Sequence, residues 1–165
     1  MQIATRGERV GDTTDEEAAM QAALHAVPDD RWAEIAAALA EVLAEPEHLH
    51  WEGGHQVGVR VVDGVEKPVI HVPYPVYTPA VDRLRVALGW FVVPYAWPDW
   101  DGNQRYRRGQ GMADAPATGA VRLITAIVRS ERFGEGSIGG AIDDGTLAAA
   151  VQRVLAWHDE QRRPG

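Results

Sequence analysis

The chain has 165 residues, no cysteine and a formal net charge of −8. This length suits one domain that buries a sizeable core without help from disulfides. No apolar run reaches the roughly 18 residues that a membrane span needs, and the first residues lack the apolar stretch of a signal peptide. We therefore expect a cytoplasmic protein that makes no membrane contact. The acidic balance also argues against nonspecific binding to nucleic acid.

The N-terminal third of the chain predicts two helices. Residues 1–12 are polar and predict a flexible N-terminus. Thr13 and Thr14 each precede a glutamate by three residues, which is the spacing of a capping box. Apolar residues then recur at helical spacing as far as Pro46, with a break at Pro28. The acidic excess of the chain lies in this third, so both helices should present an acidic surface.

The middle of the chain predicts strands. Valines alternate with other residues over 57–61, and Asp63-Gly64 after them is the turn signal of a β-hairpin. The second strand of that hairpin covers 65–72, and Pro68 within it indicates an edge strand. A third strand is predicted at 90–93. Together these segments predict a small antiparallel sheet.

The remaining segments predict helices. Thr78 followed by proline is typical of a helix N-terminus, and Thr118 is placed to cap a longer helix with one apolar face. Two more helical stripes follow the glycine-rich stretch that begins at Gly134. The order of elements predicts the α+β class: a sheet of about three strands packed with five to six helices, in a single domain over 13–160.

Four sequence blocks carry a family resemblance. They are Trp51 to Gly54, Pro73 to Tyr77, Tyr95 to Trp100, and Leu123 to Ile138. With these blocks in this order, the chain resembles an uncharacterised bacterial and phage family that is classed as a domain of unknown function. The resemblance implies a shared fold and a shared site region, and no activity. The family often reads Phe-Cys-Glu-Gly-His where this chain reads Phe-Gly-Glu-Gly-Ser over 133–137, so chemistry that needs that cysteine or histidine is absent.

The end of the helix before Gly134 is the best candidate for a site. Arg129 and Arg132 fall opposite the apolar face, and arginine presents a planar fork that matches a carboxylate or a phosphate. The glycines that follow allow backbone N–H groups to converge on an anion, and Ser137 adds a hydroxyl at the start of the next helix. The alternative is that both arginines pair with acidic residues and only hold the fold together.

Aromatic residues between positions 51 and 100 predict the walls of this site. Stiff segments that carry aromatic rings suit a pocket for the organic part of a ligand, or a protein interface. The aromatic residues that we expect to contact a ligand are Trp51, Tyr74, Tyr77, Trp97 and Trp100. Large aromatics also dominate ordinary cores, so packing between the sheet and the helices remains the alternative.

Two carboxylates are candidates for catalysis. Asp99 stands between Trp97 and Trp100, where burial would favour the protonated form that a general acid needs. Glu135 lies in the glycine-rich junction after the arginine helix. A salt bridge to arginine is the competing role for each of them, so the sequence leaves open whether the protein is an enzyme.

Three other patterns fail on their context. The histidines between 48 and 55 have no supporting carboxylate except Glu52, so we predict no metal site and no cofactor. The glycines between 134 and 139 match the spacing of a dinucleotide fingerprint, but no strand leads into them. The basic run 105–108 is too short, in an acidic chain, to predict a nucleic-acid partner.

Two functions therefore compete. The first is a soluble domain that binds a small anionic ligand at the arginine–glycine junction. It requires Arg129 and the tryptophans to line one concave pocket. The second is a non-catalytic interaction or regulatory module that docks a protein partner through its acidic N-terminal helices or its aromatic surface. It requires a contiguous exposed apolar patch.

Overall fold

The computed structural model describes residues 10–133 and 136–163. In this part of the chain, seven α-helices and two two-stranded antiparallel sheets confirm the α+β class. No described helix combines the length and the apolar character that crossing a bilayer requires. The helices are α1 (Val10–Ala26), α2 (Asp29–Ala44), α3 (Pro79–Ala87), α4 (Gly102–Arg105), α5 (Ala117–Ser130), α6 (Ser137–Asp143) and α7 (Thr146–Arg162). The strands are β1 (Leu49–Glu52), β2 (Gln56–Val62), β3 (Val65–Ile70) and β4 (Tyr74–Tyr77).

The start of α1 differs from the prediction. The helix begins at Val10, so Thr13 and Thr14 lie inside it and not at its N-terminus, where the sequence predicted them. The first nine residues of the predicted flexible N-terminus lie outside the described residues. The apolar face of α1 is placed as predicted, with Met20 and Leu24 fully buried in the core.

Helix α5 forms the centre of the core. It is buried along most of its length and packs against α1, α6 and α7. Its start is two residues earlier than predicted: Pro116 precedes the first turn, and Thr118 is buried within that turn instead of capping it. Proline is well suited to the start of a helix because its fixed φ agrees with an extended entry.

The third predicted strand, at 90–93, is wrong. Residues Leu88–Phe91 form a 3-10 turn, and Phe91 is fully buried. The Thr125 hydroxyl donates to the carbonyl of Phe91 at 2.6 Å and accepts from the N–H of Val93 at 3.1 Å. A side chain of α5 thus satisfies the backbone groups that a neighbouring strand would otherwise have to satisfy, so this segment needs no sheet.

The four strands form two separate two-stranded units. Strands β2 and β3 form the predicted hairpin around Asp63-Gly64. Strands β1 and β4 pair from Leu49 opposite Tyr77 to Glu52 opposite Tyr74, and we call this unit the β-ribbon. The β-ribbon was not predicted from the sequence. It holds the base of the hairpin against the helical body.

Candidate functional site

The junction between α5 and α6 is organised around one carboxylate of the chain itself. Glu131 accepts hydrogen bonds from the N–H groups of Gly136 at 2.9 Å and Ile138 at 2.8 Å. Gly136 adopts the left-handed conformation, with φ of 90°, which suits a residue without a side chain. The N–H groups that the sequence predicted as a nest for a ligand anion therefore hold Glu131, which caps α6.

Tyr77 connects this junction to the β-ribbon. Its hydroxyl donates to Glu131 at 2.7 Å and accepts from the N–H of Gly139 at 3.4 Å. Burial, followed by the hydrogen bond to Glu131, raises the pKa of the Tyr77 phenol well above its ordinary value. Leu49 also packs so closely on Gly139 that a side chain there would collide with it. Tyr77 is therefore part of a buried structural contact.

Trp51 lies on the other strand of the β-ribbon and lines an open cavity of about 450 Å³. Its ring lies against Gly136, where an added Cβ would come within 2.9 Å of it, and the side chain is 55% exposed. In the same cavity, His48 Nε2 lies 3.8 Å from an Asp143 carboxylate oxygen. His48 Nδ1 is buried and has no hydrogen-bond partner among the described residues. The residues that line this cavity are Pro46, Glu47, His48, Leu49, Trp51, Gly136, Gly140 and Asp143.

Ser137 lines a different cavity, of about 350 Å³, between α4, α5, α6 and the start of α7. Its neighbours there include Arg107, Asp144 and Thr146. The structure thus places Ser137 and Trp51 at two separate cavities, and neither cavity includes Arg129. The residues predicted to share one pocket do not all meet in one.

The arginines of α5 differ in their partners. Arg122 is 8% exposed, lies 5.5 Å from the ring centre of Tyr95, and binds Glu16 at 2.9 Å and Glu17 at 3.5 Å. Arg129 and Arg132 have no ion pair within residues 10–133 and 136–163. The Nε atom of Arg129 is buried and has no acceptor in that part of the chain.

An aromatic pair lies next to the end of the arginine helix. Trp97 and Phe133 have ring centres 6.1 Å apart at an interplanar angle of 34°. Phe133 is 83% exposed, and it follows Arg129 by four residues. Hydrogen bonds from Arg132 N–H to Arg129 C=O and from Phe133 N–H to Ser130 C=O continue the last turn of α5. Phe133 is exposed and Trp97 is partly exposed, and both lie near the end of α5, where Arg129 and Arg132 have no ion pair among the described residues.

A family model matches residues 27–160, more than three quarters of the chain, and its description is a family of unknown function, DUF6508. The chain belongs to this family. No curated protein and no solved structure matches the chain. Membership in DUF6508 therefore supports a shared domain and supplies no activity. The chemistry of the residues at the site is then the basis for a function.

In this DUF6508 domain, two further predicted aromatics have structural partners. Trp100 packs between Tyr95 and Tyr106, with ring centres 6.1 Å away in both cases. The Tyr74 hydroxyl donates to Glu52 at 2.7 Å, and this bond, with a second from His50, lowers the pKa of the Glu52 carboxyl. Packing and local hydrogen bonding account for both Trp100 and Tyr74.

The structure describes only one of the two carboxylates predicted for catalysis. Asp99 lies in the 3-10 turn Trp97–Asp99 and is exposed, so the burial on which its role as an acid depended is lacking. Glu135 lies outside the described residues. Among the described residues, no three His, Asp or Glu side chains are arranged to hold a metal ion.

Sequence reasoning missed two residues that matter at this junction. Glu131 was not singled out, although a glutamate between two arginines and before a glycine-rich turn is placed to cap the next helix. Phe133 was quoted only as part of a family block. Its signal was its place directly after Arg132, at the end of the arginine helix.

Proposed function

We propose that this protein binds a small anionic ligand, a carboxylate or a phosphate, through Arg129, with Trp97 and Phe133 as the surface for the organic part of the ligand. The observation that carries the proposal is the Arg129 Nε atom, which is buried and has no acceptor in the described chain. Glu131 occupies the backbone N–H groups, so the ligand anion is held by side chains and not by the glycine-rich turn.

A buried Nε atom without an acceptor is unfavourable for Arg129, although the residue as a whole is only partly buried. Arginine stays charged at any physiological pH, so it cannot relieve burial by losing a proton. Leaving a buried donor unsatisfied costs about 1–3 kcal/mol, and more for a charged group. A bound carboxylate or phosphate supplies the missing acceptor and accepts two parallel bonds from the guanidinium fork.

The surroundings favour an organic anion over a simple ion. The Trp97–Phe133 pair offers an apolar aromatic surface close to the end of α5. Aromatic rings bind planar groups through dispersion and offset stacking. Arg132 is exposed on the same turn and adds a second positive charge. Together these features suit a ligand with an anionic group attached to a planar or apolar body.

Thermal-shift measurements with Arg129 variants test this proposal. The probes are inorganic phosphate, nucleoside monophosphates, and aliphatic and aromatic carboxylates. A ligand at 100 times its dissociation constant stabilises the fold by about 2.7 kcal/mol. We expect a shift in the wild type, a smaller one in Arg129→Lys because lysine lacks the fork, and none in Arg129→Gln.

Arg85→Gln is the matched control, because Arg85 is exposed on α3 and its ion pair with Asp82 is a surface contact at 3.1 Å. This variant removes the same charge and should keep the full shift. A shift that survives in Arg129→Gln contradicts the proposal, as does the absence of any shift with every probe in the wild type.

Catalysis is a separate step of the proposal, and it would use Asp99 or Glu135 to move a proton on the bound ligand. Asp99 is two residues from Trp97 and open to solvent. Once a ligand is known, Asp99→Asn should keep its binding and abolish its conversion. Equal conversion by both proteins rules out Asp99 as the catalytic group.

A further inference from the structure

The β2–β3 hairpin exposes an unusual amount of apolar side chain. All of β3 is exposed, and β2 is exposed at every residue except Gly58 and Val62. The exposed aliphatic residues, at 39–71% of their surface, are Val57, Val59, Val61, Val65, Val69, Ile70 and Val72. An isolated pair of strands is only marginally stable in water, and three or more strands with a covered face are needed for stability.

The turn of the hairpin determines which backbone groups are free. Asp63 and Gly64 both have positive φ, 52° and 76°, which is the type I′ turn of a two-residue hairpin loop. Such a loop makes Val62 and Val65 a hydrogen-bonded pair, and bonded and non-bonded pairs then alternate along the ladder. The pair Val61–Glu66 and the pair Val59–Pro68 are therefore non-bonded, and their backbone groups point away from the partner strand.

The two edges of the hairpin consequently differ. On β3, the backbone of Pro68 faces the outer edge of the hairpin. Proline has no N–H group to donate, so this edge is poorly suited to pairing with another strand. On the outer edge of β2, the N–H and C=O groups of Val59 and Val61 have no backbone partner among the described residues, and both valine side chains are exposed. Strand β2 is the open edge of the hairpin.

We propose that a second copy of this chain pairs its β2 with this edge, antiparallel and about a two-fold axis, to form a four-stranded sheet of order β3-β2-β2-β3. A two-fold axis presents the same edge from both molecules, so one free strand completes the other. The four charged residues of the hairpin cancel, Arg60 and Lys67 against Asp63 and Glu66, although the whole chain carries −8. Its charge thus favours self-association at this edge.

The charges also disfavour one register. A ladder centred on Arg60 places two guanidinium groups directly opposite each other, which is destabilising. A ladder centred on Val59 places Arg60 opposite Gly58 of the second copy. Gly58 has no atom of its own chain within 4 Å of an added Cβ, so packing within the monomer does not require glycine there. Gly58 lies at a register shift between β2 and β3, and a glycine inside a strand marks either such a bulge or a place where another backbone approaches closely.

A cysteine at position 59 tests the register directly, because the chain has no cysteine of its own. Opposite residues in a bonded pair have Cα atoms about 5.5 Å apart, which is within the range of a disulfide. Val59→Cys should form a covalent dimer under mild oxidation, whereas Lys67→Cys, exposed on β3, should stay monomeric. Equal cross-linking of both variants, or of neither, overturns the proposed pairing.

The mass of the native protein in solution tests the dimer without a cross-link. Light scattering after size exclusion should give about twice 18.0 kDa for the wild type. The double variant Val59→Lys, Val61→Lys should give the monomer mass, with an unchanged circular dichroism spectrum. Val86→Lys, on the exposed face of α3, is the matched control and should remain dimeric. A monomeric wild type at every concentration, or a dimeric double variant, contradicts the proposal.

Discussion

The helical body and the β2–β3 hairpin use the same residue types in opposite ways. In α5, Val121 and Ile124 are fully buried, whereas Val59 and Val61 of the hairpin are more than half exposed. The apolar stripe of α5 meets α1, α6 and α7, whereas no described element covers the valines of the hairpin in the same way. An alternating apolar pattern thus predicts the geometry of a strand and does not predict which surface covers it.

The largest difference in stability between the two regions is expected when a core side chain is truncated. Phe91 is fully buried and contacts Trp32, with ring centres 5.8 Å apart. Phe91→Ala should lower the free energy of unfolding by about 3–5 kcal/mol, because it removes apolar contacts and leaves a cavity. Val61→Ala in the hairpin, measured by the same urea titration at a concentration where both proteins are monomeric, should change it by less than about 0.5 kcal/mol. Similar losses would show that the hairpin is packed as tightly as the core.

A smaller effect is expected where a side chain of the body replaces a strand. Thr125→Val keeps the shape of the side chain and removes both the donor to Phe91 and the acceptor for Val93. The backbone groups left unsatisfied should reduce the free energy of unfolding by about 1–3 kcal/mol. Thr125→Ser keeps the hydroxyl and should recover most of the loss. Equal stability of the valine variant and the wild type would contradict the role given to this hydroxyl.

Removal of the carboxylate at the α5–α6 junction should cost about 0.5–2 kcal/mol, the range for loss of a helix cap. Glu131→Ala leaves two N–H groups of α6 and the Tyr77 hydroxyl without their acceptor. Hydrogen exchange of the Gly136 and Ile138 amides should accelerate, while amides in the middle of α5 stay protected. Unchanged exchange at both amides would show that Glu131 does not cap α6 in solution.

The smallest effect is a dependence on alkaline pH. Burial, followed by the bond to Glu131, raises the pKa of Tyr77 above its ordinary value of 10.0. Folding then favours the protonated phenol, so this contribution to stability is complete below pH 10 and is lost as the pH rises toward the folded-state pKa. The free energy of unfolding should fall less steeply with alkaline pH in Tyr77→Phe. Parallel curves for the two proteins would rule out a linked phenol.

Local signals predicted much of the fold. The break at Pro28 separates α1 from α2, and Thr78 caps α3 by accepting from the N–H of Val81, with proline at the first helical position. The hairpin turn at Asp63-Gly64 is also as predicted. These features depend on residues a few positions apart, so the sequence displays them directly. The β-ribbon pairs segments more than twenty residues apart, and its pattern was interrupted by prolines.

The candidate site was predicted less well, for a related reason. Arg122 and Arg129 lie on one helix, and their sequence positions do not distinguish the chemistry of the two side chains. Their difference comes from Glu16 and Glu17 of α1, which are more than a hundred residues before Arg122. The role of the Glu131 carboxylate in the glycine-rich turn was not predicted, because a carboxylate of the chain and an anionic ligand satisfy the same N–H groups. Which of the two is present depends on the path of the chain.

The β-ribbon has a consequence for how the domain is built. It brings Glu52 and Tyr74, 22 positions apart, side by side, and the Tyr77–Glu131 bond fixes it to the helices. The chain from Glu52 to Tyr74 leaves the β-ribbon and returns to the same place. The β-ribbon therefore restricts the conformational entropy of this segment at its two ends and not along its length. The hairpin behaves as an insert. A two-residue turn from Glu52 to Tyr74 would shorten the chain and leave the helical body closed.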